Sequence, residues 1–274
     1  GQAGWRAACW TLGILVLVLL APLNLLLRRR PEDLGLLPDG EAAAAAVAPA
    51  RKSNIVDPAW TAVDWTLARA LRTTKFWWLA AGYAGAMFIW YAVQVHQTKY
   101  LMEIGFSAAD AAWALGAVSL AGIPGQIALG QLSDRIGREL VWAVGCLGFA
   151  LTYVALLLLR EHANLVLLYL MVLAQGALGY GLTSVIGAIP AEIFEGRHYG
   201  AIFGTLMLTG IAGGAVGPWV TGLLHDWTGS YDLAFAIALV VSLLSAGTIW
   251  QAAPRKVRVV AGQMHRIAGL RERA

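Results

Sequence analysis

"GQLSDRIGRE", residues 130–139, places Asp134, Arg135, Arg138 and Glu139 within six positions, with Gly130 and Gly137 spaced around them. The next charge upstream is Asp110 and the next downstream is Arg160. Two long apolar runs therefore meet at this one charged knot. Its order, a carboxylate among cations with glycine on either side, asks for a fixed turn more than for a merely soluble loop. What the turn joins depends on the chain around it.

Apolar residues make up 59% of the 274 positions and charged residues 13%. A soluble domain carries about 25% charged residues. The missing charge has been removed in blocks: no Asp, Glu, Lys or Arg occurs in 7–27, 76–98, 111–133, 140–159, 162–191, 198–225 or 233–254. Runs of about 20 apolar residues are what bilayer-crossing helices need. Strand alternation, the mark of a membrane barrel, is absent from them. In lipid a helix satisfies its own backbone hydrogen bonds. The composition thus predicts an all-α polytopic bundle with about seven transmembrane helices.

The run 7–27 lacks a basic n-region, and Arg28, Arg29 and Arg30 follow it. That is a stop-transfer pattern with the N-terminus outside, and not a secretory signal. The chain starts at Gly1 without an initiator Met, so we expect an upstream part. Alternating the loops and termini of the seven spans puts 17 basic residues on one side and Arg6, Lys99 and Arg160 on the other. The positive-inside rule then predicts a cytoplasmic C-terminus. The same asymmetry accounts for the basic pI, with no nucleic-acid partner. Cys9 and Cys146 fit neither a metal-ligand spacing nor a disulfide framework, and no metal or cofactor is expected.

The predicted organisation is a first helix, 1–27, a long cytoplasmic loop, 28–75, a six-helix bundle, 76–252, and a mobile cytoplasmic tail, 253–274. The loop opens with "RRRPEDLGLLPDG", rich in breakers, and continues as an alanine-rich linker. Trp60, Val63, Leu67 and Leu71 then recur at helical spacing, with Arg69 and Arg72 opposite. Two readings fit: an amphipathic helix at the membrane surface, or a solvated linker helix. The charged knot falls in the short cytoplasmic loop between the third and fourth spans. There Gly130 allows close helix approach, Gly137 permits a tight turn, and Arg135 and Arg138 can each pair with Asp134. Asp134 itself could cap the next helix or face another helix's N-terminus.

In this order, Gly130, Asp134, Arg135, Gly137 and Arg138 resemble motif A of the major facilitator superfamily of secondary transporters. "RRRPEDLGLLPDG" resembles the start of that family's central cytoplasmic loop. "AEIFEGRHYGAIFG…GGAVGPWVTGLLHDWTGSY" resembles the tenth-to-twelfth helix region of its oxalate/formate and monocarboxylate-like branches. The resemblance implies that 7–27 is the sixth helix and that 76–252 holds helices seven to twelve. The first five helices, the rest of an N-terminal half, would lie outside this chain. It also implies secondary active transport of a small solute, by symport or antiport, in the plasma membrane. The branch points to an organic anion such as a monocarboxylate. Motif A would be a conformational latch.

Such carriers bind solute near the bilayer midplane, between the halves. Tyr83, Met87, Trp90 and Gln94 share one face of the second span, with Tyr91 beside it. Ser119, Gly122 and Gln126 line up in the third. Gln175, Gly179 and Thr183 share a face of the fifth, with Tyr180 adjacent. These give the candidate pathway: Tyr83, Trp90, Tyr91, Gln94, Gln126, Gln175, Tyr180 and Thr183. By resemblance, helices seven, eight, ten and eleven line the cavity. Trp90 and Tyr91 can also be read as interfacial belt residues, and the Ser and Thr groups as bonding back to their own helices. "GIAGGAVGP", 210–218, reads either as a close-packing face or as a bending gate. Every Asp and Glu lies in a loop or at a span end, so a coupling proton or ion would depend largely on the upstream half. His96, near an outer span end, reads as a solvated interfacial residue. A heptahelical receptor or a polytopic membrane enzyme are the rival classes. The last span has no lysine for a retinal Schiff base, and no span holds an acid pair, His cluster or Ser/His constellation that would mark an enzyme.

Overall fold

The computed structural model describes residues 4–26 and 54–264. The "RRRPEDLGLLPDG" stretch, the alanine-rich linker and the end of the tail, 265–274, lie outside the described residues. The chain falls into two compact units, one before and one after the boundary at 53/54. The first contains α1, Gly4–Leu26, without a charge after Arg6 and carrying Pro22.

The second unit is built on long helices. They are α4 (Thr74–Glu103), α5 (Ala108–Ile136), α6 (Arg138–Glu161), α10 (Tyr199–Thr228) and α11 (Asp232–Ala252). Between α6 and α10 the fifth run is broken into pieces. α7 (Leu165–Leu173) leads into a π turn, Ala174–Leu178, and a 3-10 turn, Gly179–Gly181; α8 (Leu182–Val185) and α9 (Ala188–Ile193) follow. Among the described residues, seven helical stretches, α1 included, are long and apolar enough to cross a membrane. No strand is formed among them, so the all-α polytopic architecture holds.

Helix starts sit where the charge-free runs meet polar residues. The Thr73 hydroxyl accepts from Phe76 N, Ser107 from Asp110 N and the Asn164 side chain from Leu167 N. Each satisfies one of the orphan donors of a first turn. Gly137 ends α5 and begins α6 at φ 108°, a backbone that a residue with a Cβ rarely adopts.

Glycine sets the closest helix contacts. A Cβ at Gly213 would lie 2.1 Å from Ala84 O, and one at Gly217 would lie 2.4 Å from Phe88 O. The "GIAGGAVGP" stretch is therefore a packing face of α10 against α4, the simpler of its two readings.

Two expectations need correction. The Trp60–Leu71 periodicity gives two short helices, α2 (Pro58–Thr61) and α3 (Leu67–Ala70), instead of one amphipathic helix. Trp65 is the reason. It is buried against Trp60 and Phe194, and its Nε1 donates to Trp60 O, a carbonyl that a continuous helix would need. Thr66 then caps a new start through Arg69 N. The tail is also not free where it is described. Val257 and Val259 are buried, and Ile55 and Arg258 form an antiparallel bridge. Three valines within four positions give this segment an apolar surface to cover, which a solvated tail would leave in water.

Candidate functional site

The pathway residues divide into a strip and outliers. Trp90 and Gln94, one turn apart on α4, face the broken helix. The Trp90 and Tyr180 rings stack with centroids 4.1 Å apart and 21° between planes. The Tyr180 hydroxyl donates to Gln94 Oε1 at 3.2 Å. On α5, a Cβ at Gly122 would strike Tyr180 Cδ2 at 2.4 Å, so the absence of a side chain there makes room for the ring. One turn further, Gln126 Oε1 lies 2.8 Å from the Thr183 hydroxyl, which is also 2.8 Å from Tyr180 O. A hydroxyl has one proton, so Thr183 serves one of these acceptors at a time. Trp90, Gln94, Gln126, Tyr180 and Thr183 thus form one aromatic and amide strip across α4, α5 and the broken helix. Stacked aromatics offer apolar area, and the amides and hydroxyls give both donors and acceptors. A small polar solute needs this combination for orientation.

Three candidates lie elsewhere. Tyr83 is fully buried, stacks on Trp142 at 5.1 Å, and donates to Ile186 O. It ties α4 into the bundle. Tyr91 is exposed, and its ring lies over Gly214 in the α4–α10 seam. Gln175 is fully buried, and neither end of its amide has a partner among the described residues. The face shared by Gln175, Gly179 and Thr183 assumed 3.6 residues per turn throughout. The π turn at Ala174–Leu178 takes more residues per turn and shifts the register, so Gln175 is buried while Thr183 is exposed. Among the other hydroxyls, Thr205 donates to Ala201 O and Ser184 to Gly181 O, each back to its own helix. His96 is not simply solvated. Its Nε2 is 3.0 Å from Pro218 O and its Nδ1 is 3.3 Å from the Tyr231 hydroxyl. A carbonyl only accepts, so Nε2 carries a proton, and His96 pins α4 to α10.

The charged turn has its own geometry. Arg138 pairs with Asp134, donates to the Ser133 hydroxyl, and reaches Glu192 of α9 with Nε 3.2 Å from Oε1. Asp134 does not cap α6; Gly137 occupies the N-cap position and offers no side chain. Arg135 is exposed, and its backbone is covered by Gly262. Gly130 sits against Ser184, where a Cβ would be 3.4 Å from Ser184 Cβ. The side chains of Arg138 and Glu192 are 19% and 15% exposed, against 58% for Asp134. The more buried partner is thus Glu192, which sequence reading placed only among span-end acids. Its sole signal was an acid two residues after Pro190, at the end of a run without charge. Among the described residues no group of three or more His, Cys, Asp or Glu could hold a metal.

The family model of the Major Facilitator Superfamily matches residues 1–182 and 100–266. The chain belongs to that superfamily. It is 25% identical over 262 residues to the glycerol-3-phosphate transporter of Bacillus subtilis (strain 168), covering 93% of this chain and 58% of that protein. It is 28% identical over 156 residues to monocarboxylate transporter 13 of Rattus norvegicus, covering 57% of this chain and 36% of that one. The bovine (Bos taurus) protein of that name matches over the same length at 26%. The chain thus spans between about one third and three fifths of the length of these curated relatives. As a member of this superfamily, with its apolar helices, it is an integral membrane protein.

Proposed function

We propose that this chain acts as the sixth helix and C-terminal half of a secondary active transporter that moves a small organic anion across the plasma membrane by alternating access. The strip formed by Trp90, Gln94, Gln126, Tyr180 and Thr183 carries the reading. It brings stacking and hydrogen-bonding groups from three spans to one place, as a midplane solute site requires. The relatives are named as transporters of monocarboxylates and of glycerol-3-phosphate. Both solutes are small organic anions. The opposing wall, the coupling proton or ion, and a cation to meet the anion would come from the N-terminal half. The turn at 130–139 would act as the latch, with the C-terminus in the cytoplasm.

The test is uptake by the full-length carrier in liposomes, across a panel of small organic acids under an imposed pH gradient. Saturable uptake of at least one acid is expected. Gln94→Ala should raise its half-saturation concentration about tenfold, the worth of one good hydrogen bond to a charged group. Uptake of none, or a Gln94→Ala carrier with unchanged half-saturation, would count against the strip as a solute site.

A further inference from the structure

The segment 254–264 crosses the same end of the bundle as the charged turn, and it touches that turn at three levels. At the backbone, a Cβ on Gly262 would lie 2.6 Å from Arg135 Cα and 2.9 Å from Arg135 O, so the two segments run in direct contact. At the helix terminus, Gln263 Nε2 donates to Ile136 O at 2.6 Å. Ile136 is the last residue of α5, and its carbonyl has no helical donor of its own. At the side chains, Arg255 Nη1 is 3.3 Å from Glu139 Oε1, and Glu139 is almost fully buried in the first turn of α6. The segment therefore holds the end of α5, the turn itself and the start of α6.

It is also tied to the chain that leads into the bundle. Val56 N donates to Val257 O at 2.9 Å and Val259 N to Asn54 O at 3.0 Å. Arg258 pairs with Glu195 just beyond α9. Residues 54–57, α9 and the charged turn are thereby linked through one short stretch. The pairing is a single bridge and not a ladder, and Ala261 and Gly262 are exposed. A segment with few backbone bonds and an exposed end opens more readily than the helices it lies on.

We propose that residues 254–264 form a strap that sets the conformation of the 130–139 turn. Docked, it holds the turn closed onto Glu192 through Arg138. Released, it frees the turn and the 54–57 segment together. Its role in a transport cycle rests on the transporter reading above; its hold on the turn does not.

Hydrogen exchange on the full-length protein in lipid nanodiscs separates the two. Gly262→Val puts a branched side chain where no Cβ fits, and Gln263→Ala removes the cap on Ile136. Amides of 133–137 and 257–260 should exchange at least about fivefold faster in Gly262→Val, and measurably faster in Gln263→Ala, with the α4–α10 seam unchanged. If Gly262→Val does not fold, Gln263→Ala and Arg255→Gln decide. Wild-type exchange at 257–260 as fast as in free chain, or turn amides unmoved in every variant that folds, would overturn the strap. In uptake assays the variants should change the maximal rate about threefold or more at constant half-saturation, as a gating element does. An unchanged rate beside faster turn exchange would remove the transport role and leave the strap; a wild-type protein without uptake would count against the transporter reading alone.

Discussion

Gly213→Ala and Gly204→Ala are the same substitution in the same helix, and the structure gives them opposite signs. At Gly204 an added Cβ meets nothing within 4 Å. Alanine is the better helix former there by up to about 1 kcal/mol, so the variant should be unchanged or slightly more stable. At Gly213 the Cβ would fall 2.1 Å from Ala84 O, with Ala84 C at 2.7 Å and Cα at 2.8 Å. An ordinary contact begins near 3.4 Å, so more than 1 Å must be recovered. All three neighbours are backbone, and no rotamer change can yield the space. α10 must back away from α4 as a body, loosening the contacts at Gly217 and Gly210 as well. Overpacking costs about 1–3 kcal/mol, and a clash with backbone belongs at the top of that range. We expect Gly213→Ala to lose about 3 kcal/mol relative to Gly204→Ala, read as unfolding in a denaturing-detergent titration. Equal stability of the two variants would refute the claim that the glycine face sets the α4–α10 distance.

Arg138→Ala should lose about 3–5 kcal/mol, because it strands the mostly buried Glu192 carboxylate; the same titration checks it. Asp134→Asn should cost under about 1 kcal/mol, since the Asp134 carboxylate is itself largely exposed, yet reduce uptake by the full-length carrier more than expression. Normal uptake at normal protein level would make the Asp134 carboxylate dispensable. For topology, Cys replacing Glu161 should react with an impermeant reagent on intact cells and Cys replacing Arg197 should not; the reverse pattern would invert the orientation. These 274 residues alone should not transport, because alternating access needs an opposing half. Saturable uptake by them at a rate near that of the full-length carrier would sink that view.

The spans were legible because lipid leaves a chain few options. Seven charge-free runs became seven membrane-length helical stretches, and the caps Thr73, Ser107 and Asn164 stand at their edges. The strip was legible in part. Periodicity put Trp90 and Gln94 on one face of α4 and Gln126 on α5, and both helices are unbroken there, α5 even past Pro124. It failed in the fifth run, where glycines allow a π turn and the period is no longer 3.6. Gln175 was assigned to the face of Thr183 and in fact turns away from it. A one-residue change of winding cannot be read from residue types alone, since it is decided by what packs outside. Within that turn Gly176 packs closely on α5, where a Cβ would stand 2.4 Å from Val118 O.

The charged turn shows the same boundary between local and distant information. Its glycine at φ 108° and its Asp134–Arg138 pair are four residues apart or fewer, and the quoted ten residues contain both. Glu192 lies 54 positions away from Arg138, and Gln263 lies 127 away from Ile136. Neither partner belongs to a periodic pattern, and each looks like an ordinary polar residue at a helix end or in a tail. Yet these distant partners are the less exposed or more constrained ones. Asp134 is mostly in water, whereas Glu192 is nearly buried and Gly262 tolerates no side chain. A charge in water is compensated cheaply by solvent, and a buried one only by its partner. The residues that make the motif recognisable therefore do not hold it in place alone: Arg138 does so through a buried partner outside the motif. What holds it is Glu192 from the broken helix and the strap from the chain's far end, so a movement in either reaches the turn directly.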